Sequence, residues 1–72
     1  MVTVDVKSEK AKSLVEYVNK LYENDKNLQI EYDDVSDIEE YEHSYEIWIN
    51  GRHTISTSKV NFDNYFNSIN SK

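Results

Sequence analysis

The chain has no cysteine, no proline and a single glycine. Without cysteine, no disulfide can staple the fold and no thiolate can act as nucleophile or zinc ligand. So little proline and glycine argues against a loop-rich scaffold. Apolar runs never exceed three residues, far short of a membrane span, and no signal-peptide core precedes a cleavage site. Seventy-two residues make one domain, residues 1–72. A chain of this size buries only about 60% of the surface its unfolded form exposes, which leaves its stability thin.

What is present is acid. Fourteen Asp and Glu against eight Lys and Arg give a net charge of −6 in 8.5 kDa. That sign repels nucleic acid and anionic membranes, so neither is expected as a direct partner. The charge is also unevenly spread. Glu31, Asp33, Asp34, Asp37, Glu39, Glu40, Glu42 and Glu46 fall within sixteen residues that hold no Lys or Arg, while the rest of the chain nets +2. Tyr32, Tyr41 and Tyr45 are interleaved with them. The protein reads as a nearly balanced body carrying one concentrated acidic block.

Periodicity supplies the elements. Val2, Val4 and Val6 alternate as in a short strand, free to join the sheet or to pair elsewhere. Ser8 is an N-cap with Glu9 in the first turn, and Ala11, Leu14, Val15, Val18, Leu21 and Tyr22 form the stripe of an amphipathic helix of about seventeen residues. Asn24 or Asn27 would stop it in the left-handed conformation. Leu28, Ile30 and Tyr32 alternate as a second strand. The segment Asp34 to His43 has Val35, Ile38 and Tyr41 three apart and no strand period, so it reads as a loop. Tyr45, Ile47 and Ile49 mark a strand, Asn50-Gly51 a turn, and Arg52 to Thr57 the returning strand. Ser58 caps a last helix with Phe62, Tyr65, Phe66 and Ile69 on one face. The expected fold is α+β: a three-stranded antiparallel sheet with both helices on one face, in the order (β)αβββα.

Register follows from burial. A two-residue turn would pair Glu46 with Ile55 and turn Ile55 away from Ile47, because a one-residue slip exchanges faces. A three-residue loop, with Gly51 in a bulge, pairs Tyr45 with Ile55, Ile47 with His53 and Trp48 with Arg52, and is therefore expected. The solvent-facing side of the sheet then carries Gln29, Glu31, Asp33, Glu46, Trp48, Arg52 and Thr54. Trp48 ringed by acids has the composition of a binding anchor, and it also suits a cross-strand cation–π pair with Arg52.

Catalysis finds no motif. His43 and His53 stand ten apart with no Gly-flanked Ser, and paired carboxylates have no cleft to work across. The run Asp33 to Glu40 lacks the spacing and the glycine of an EF-hand loop. No enzyme, metal or cofactor is expected. The α-β-β-β-α order is shared with double-stranded-RNA-binding domains, yet Thr57 to Asp63 holds only Lys59 where those domains cluster bases.

The hairpin at Asn50-Gly51, the Ile55-Ser56 exit and the Phe62-Tyr65-Phe66-Ile69 helix resemble small acidic inhibitors encoded by bacteriophages, in particular anti-CRISPR proteins that mimic DNA. The likeness covers about thirty residues and is one of pattern. It implies an inhibitor in the host-cell cytoplasm, bound to a basic nucleic-acid-handling protein such as a defence nuclease. The chain departs from that pattern in its last helix, which carries only Asp63, so mimicry here would fall to the strands and the 34–42 segment. The expected partner-binding residues are Glu31, Asp33, Asp34, Asp37, Glu39, Glu40, Glu42 and Glu46 as phosphate surrogates, with Tyr41 and Trp48 as anchors. The alternative is an interaction module, such as an antitoxin or a self-associating regulator, forming a homodimer through the N-terminal valine strand.

Overall fold

The computed structural model of the protein describes residues 2–70. Strand β1 (Val2–Thr3) leads into helix α1 (Glu9–Leu21). Two single 3₁₀ turns follow, at Lys26–Leu28 and Tyr32–Asp34. Strands β2 (Val35–Glu40), β3 (Ser44–Ile49) and β4 (Arg52–Ser58) come next, and helix α2 (Lys59–Asn70) starts directly from β4. The sheet is antiparallel with four strands in the order β1-β2-β3-β4, one more than the expected three.

Both helices begin on serine caps. Ala11 N donates to Ser8 Oγ at 3.1 Å and Asn61 N to Ser58 Oγ at 3.3 Å. Helix α1 is thirteen residues, shorter than its apolar stripe suggests, and Tyr22 at its end has φ −110°. Neither Asn24 nor Asn27 is left-handed, since Asn50 is the one non-glycine residue with positive φ among those described. The helix is closed instead by Gln29, whose Nε2 donates to the carbonyls of Tyr22 at 2.6 Å and Asn19 at 3.2 Å.

The segment Leu28 to Asp33 is not a strand. Ile30 is buried and Leu28 and Tyr32 are half-buried, so the alternation does reflect one inward side. Its backbone is satisfied by a side chain, however. Asn19 Nδ2 donates to Ile30 O at 2.8 Å and Ile30 N donates to Asn19 Oδ1 at 2.7 Å. One amide on α1 thus does the work of a neighbouring strand. Glu31 and Asp33 consequently lie outside the sheet, contrary to expectation.

Its place in the sheet is taken by Val35–Glu40, the stretch expected to be a loop. A bulge at Ser36 hides the strand period: Val35 pairs with Ile49 and Asp37 with Trp48, leaving Ser36 unpaired between them. The extra residue lets Val35 and Ile38, three apart, share the inner face. Ser36 Oγ donates to Trp48 O at 3.2 Å and accepts from Gly51 N at 2.9 Å, which ties the bulge to the hairpin turn.

That turn has two residues, not three. Asn50 (φ 52°) and Gly51 (φ 81°) connect Ile49 opposite Arg52 and Trp48 opposite His53, the two positive φ values that a tight hairpin with native twist requires. A bulge at Thr54 then restores the inward parity, so that Ile47 faces Ile55 and Tyr45 faces Thr57. Burial of Ile55 does decide the register, but the correction is made inside the strand and not at the turn. Trp48 accordingly neighbours His53, and the expected pairing with Arg52 does not occur.

Both helices cover one face of the sheet. The core joins Val4, Ala11, Leu14, Val15, Val18, Ile30, Ile38, Tyr45, Ile47, Ile55 and Phe62 in one cluster. Phe62 is its hub, with ring centroids 5.3 Å from Tyr45, 5.7 Å from Tyr17 and 5.6 Å from Phe66. Among the described residues no helix is long and apolar enough to cross a membrane.

If Thr54 is the residue that restores parity, its deletion leaves a regular hairpin with Ile55 still opposite Ile47. Deleting Thr54 is therefore expected to cost less than deleting Ser56, which reverses the facing of Thr57 and shifts the start of α2. Urea midpoints of the two variants check the order, and equal losses would remove the role assigned to the bulge.

Candidate functional site

Because Tyr45 and Ile47 point inward, their neighbours on β3 point outward onto a face no helix covers. The pairing sets out that face in rows. Thr3, Glu39, Glu46 and Ser56 lie side by side across the four strands, and Asp37, Trp48 and His53 lie side by side across β2 to β4. No lysine or arginine occupies either row.

Glu46 is the best-fixed group on this face. Ser44 Oγ donates to Oε2 at 2.6 Å, Ser56 Oγ to Oε1 at 2.6 Å and Oε2 at 2.5 Å, and His53 Nε2 lies 2.6 Å from Oε1. Burial alone would raise its pKa. The hydrogen bonds from Ser44, Ser56 and His53, together with the His53 charge when protonated, outweigh that and hold it below the ordinary 4.5. The carboxylate stays ionised and immobile.

Trp48 is half-buried, with the His53 ring edge-on at 5.0 Å and 67°. Beside it a shallow groove of about 550 Å³ runs to the β2–β3 turn, walled by Tyr41, Glu42, His43, Glu46, Trp48 and His53. The eight acids of the block thus divide. Asp37, Glu39 and Glu46 lie on the outer side of the sheet, Glu39 buried and Asp37 and Glu46 half-buried, and Glu42 is exposed at the rim of the groove with Tyr41. Glu31, Asp33 and Asp34 are exposed on and beside the second 3₁₀ turn, beyond the sheet.

Glu40 turns the other way. It lies in the inner row opposite Tyr45 and accepts from Lys59 Nζ at 2.7 Å and Lys10 Nζ at 3.1 Å. The bond from Lys59 is the chief reason its pKa falls below 4.5, with Lys10 adding to it against burial. The Lys10 ammonium sits 5.0 Å from the Tyr45 ring centroid, and the Tyr45 hydroxyl donates to Asp63 Oδ1 at 2.8 Å. Burial, aided by Asp63 and opposed by Lys10, pushes that hydroxyl up to about 12. This network was not anticipated from sequence. Its signal was the matched placement of Lys10 and Lys59, each in the first turn after a serine cap.

Among the described residues no group of three or more His, Asp or Glu is placed to hold a metal ion. Compared with protein-family models, curated proteins and solved structures, the chain has no match.

The outer row sets two like charges opposite each other across the strands. Glu39 and Glu46 are direct cross-strand partners and like charged, and Thr3 Oγ1, at 3.1 and 3.2 Å from the two Glu39 oxygens, relieves hydrogen bonding but not charge. Glu39→Gln keeps the Thr3 donor satisfied and removes the repulsion, so the isolated protein is expected to gain about 0.5 kcal/mol, or about 2–4 °C in Tm. A lower Tm would show that the pair is compensated.

Acid should destabilise the fold in a defined window. Glu40 and Glu46 have folded pKa values below 4.5, so the unfolded chain binds protons first, and stability present above about pH 4.5 is lost as pH falls through the folded values. Urea midpoints measured from about pH 7 to pH 3 are expected to fall over that window, and less steeply in Glu40→Gln.

Proposed function

We propose that the protein is a non-enzymatic inhibitor that binds a basic, nucleic-acid-handling protein through its open sheet face, occupying the place of phosphate backbone. The observation that carries this reading is the composition of that face: Asp37 and Glu46 on rigid strands, Glu42 at the rim, Trp48 among them, and no lysine or arginine in either row, His53 beside Glu46 being the one basic side chain there. Solubility alone requires neither an aromatic anchor nor a cross-strand pair of like charges. A cationic surface supplies what both lack, and long-range attraction between the two brings fast, salt-sensitive association.

The surface that makes the contact is smaller than the whole acidic block. Glu40 is engaged by Lys10 and Lys59, and contributes to the inner face only. Glu39 is buried under the Thr3 hydroxyl, so Asp37, Glu42 and Glu46 act as the phosphate surrogates, and Glu31, Asp33 and Asp34 add to the long-range field from the neighbouring turn.

The test is capture of the partner by the tagged protein at about 0.05 M and about 0.5 M salt, with duplex DNA as competitor. The expected result is a nucleic-acid-binding protein held at low salt, released at high salt and displaced by DNA. Asp37→Lys combined with Glu42→Lys, both outside the core, is expected to weaken the complex at least about tenfold. A complex that persists through the double reversal, or that DNA does not displace, overturns the reading.

A further inference from the structure

We propose that the groove beside Trp48 seats an arginine side chain of the partner, with its guanidinium against the indole and facing the Glu46 carboxylate. This deepens the open-face reading above and rests on it. The groove joins three features that an arginine needs together.

The first is an aromatic surface. Trp48 is half-buried at the groove wall, and its neighbour His53 meets it edge-on at 67° instead of stacking over it. Tryptophan is the strongest cation–π partner among the side chains. The second is a carboxylate that does not have to be ordered on binding. Two serine hydroxyls and His53 already hold Glu46 in one orientation, so a donor from the partner meets a preset acceptor, at a single N–H and not through a fork. The third is net negative charge. Glu42 is exposed at the rim and Asp37 stands beside Trp48 in the next strand, with no lysine or arginine in the rows between.

These features distinguish arginine from lysine. An ammonium would satisfy the charge, but it is compact and strongly hydrated and gains little from a flat wall. A guanidinium is planar, weakly hydrated and stacks on aromatic rings while its donors engage a carboxylate.

Trp48 is the chain's one tryptophan, so its emission reports on the groove directly. The probes are nona-arginine and nona-lysine peptides, titrated into the protein at low salt, with anisotropy of the labelled peptides as a second readout. Nona-arginine is expected to shift and saturate the Trp48 emission and to bind about two- to thirtyfold tighter than nona-lysine, the range that one cation–π contact spans. Trp48→Leu and Glu46→Gln, each checked for folding by circular dichroism, are expected to bring the arginine affinity down to the lysine value. Equal affinities with unchanged Trp48 emission overturn the arginine site while leaving the acidic-face reading standing. Failure of both peptides to bind at low salt overturns the two together.

Discussion

The inward facing of Tyr45 and Ile47 on the third strand governs the rest of the structure. Both are fully buried, and because strand side chains alternate, their burial commits Ser44, Glu46 and Trp48 to the opposite side. The neighbouring strands then adjust to it. Each has one residue too many for a regular ladder, and each discards it in a bulge beside Trp48, at Ser36 on one side and Thr54 on the other. The result is a central strand of fixed facing, flanked by two strands that bend to bring Val35, Ile38 and Ile55 inward.

Alternation also separates two acids that are adjacent in the chain. Glu40 falls in the row of Tyr45 and meets two lysines from the first turns of the two helices. Glu39 falls in the row of Glu46 and meets another carboxylate. The inner pairing is the more useful one for folding, because it ties both helix starts to the β2–β3 turn where the sheet reverses. The outer position offers Glu39 only the Thr3 hydroxyl of the edge strand and no cation.

What could be read from the chain beforehand follows from how local each determinant is. Serine caps, the apolar stripes of both helices and the place of the Asn50-Gly51 turn are set by residues within one or two turns of each other, and they stand in the structure except at the helix ends, where Leu21 and Ile69 are exposed, and in the length of the turn. The second strand was misplaced because its true pattern is interrupted. A bulge at Ser36 turns period two into an apparent period of three, while Leu28, Ile30 and Tyr32 keep a clean alternation for a segment whose backbone partner is Asn19, eleven residues earlier. The hairpin shows the same limit. Burial of Ile55 was legible as a requirement, but the requirement can be met at the turn or by a bulge, and only the strand context chooses. For the candidate site, Trp48, Glu46 and the rim acids were legible because β3 alternates without interruption. The division between Glu39 and Glu40 was not, since it depends on the register of a strand the pattern had concealed.

A chain of 72 residues without disulfides has little stability to spare, and most of the changes open to it lower that stability further. In such a molecule, a cross-strand pair of like charges and a half-exposed tryptophan are arrangements that selection for folding alone would tend to remove, and substitutions that relieve them are easy to reach. The inner network shows that the same chain places lysine beside glutamate where folding benefits. The absence of any such partner on the outer rows is therefore a property of that face and not of the composition. On the proposed reading, a second molecule brings the lysine or arginine that these rows lack, and the groove beside Trp48 is where the shape of the surface would receive it.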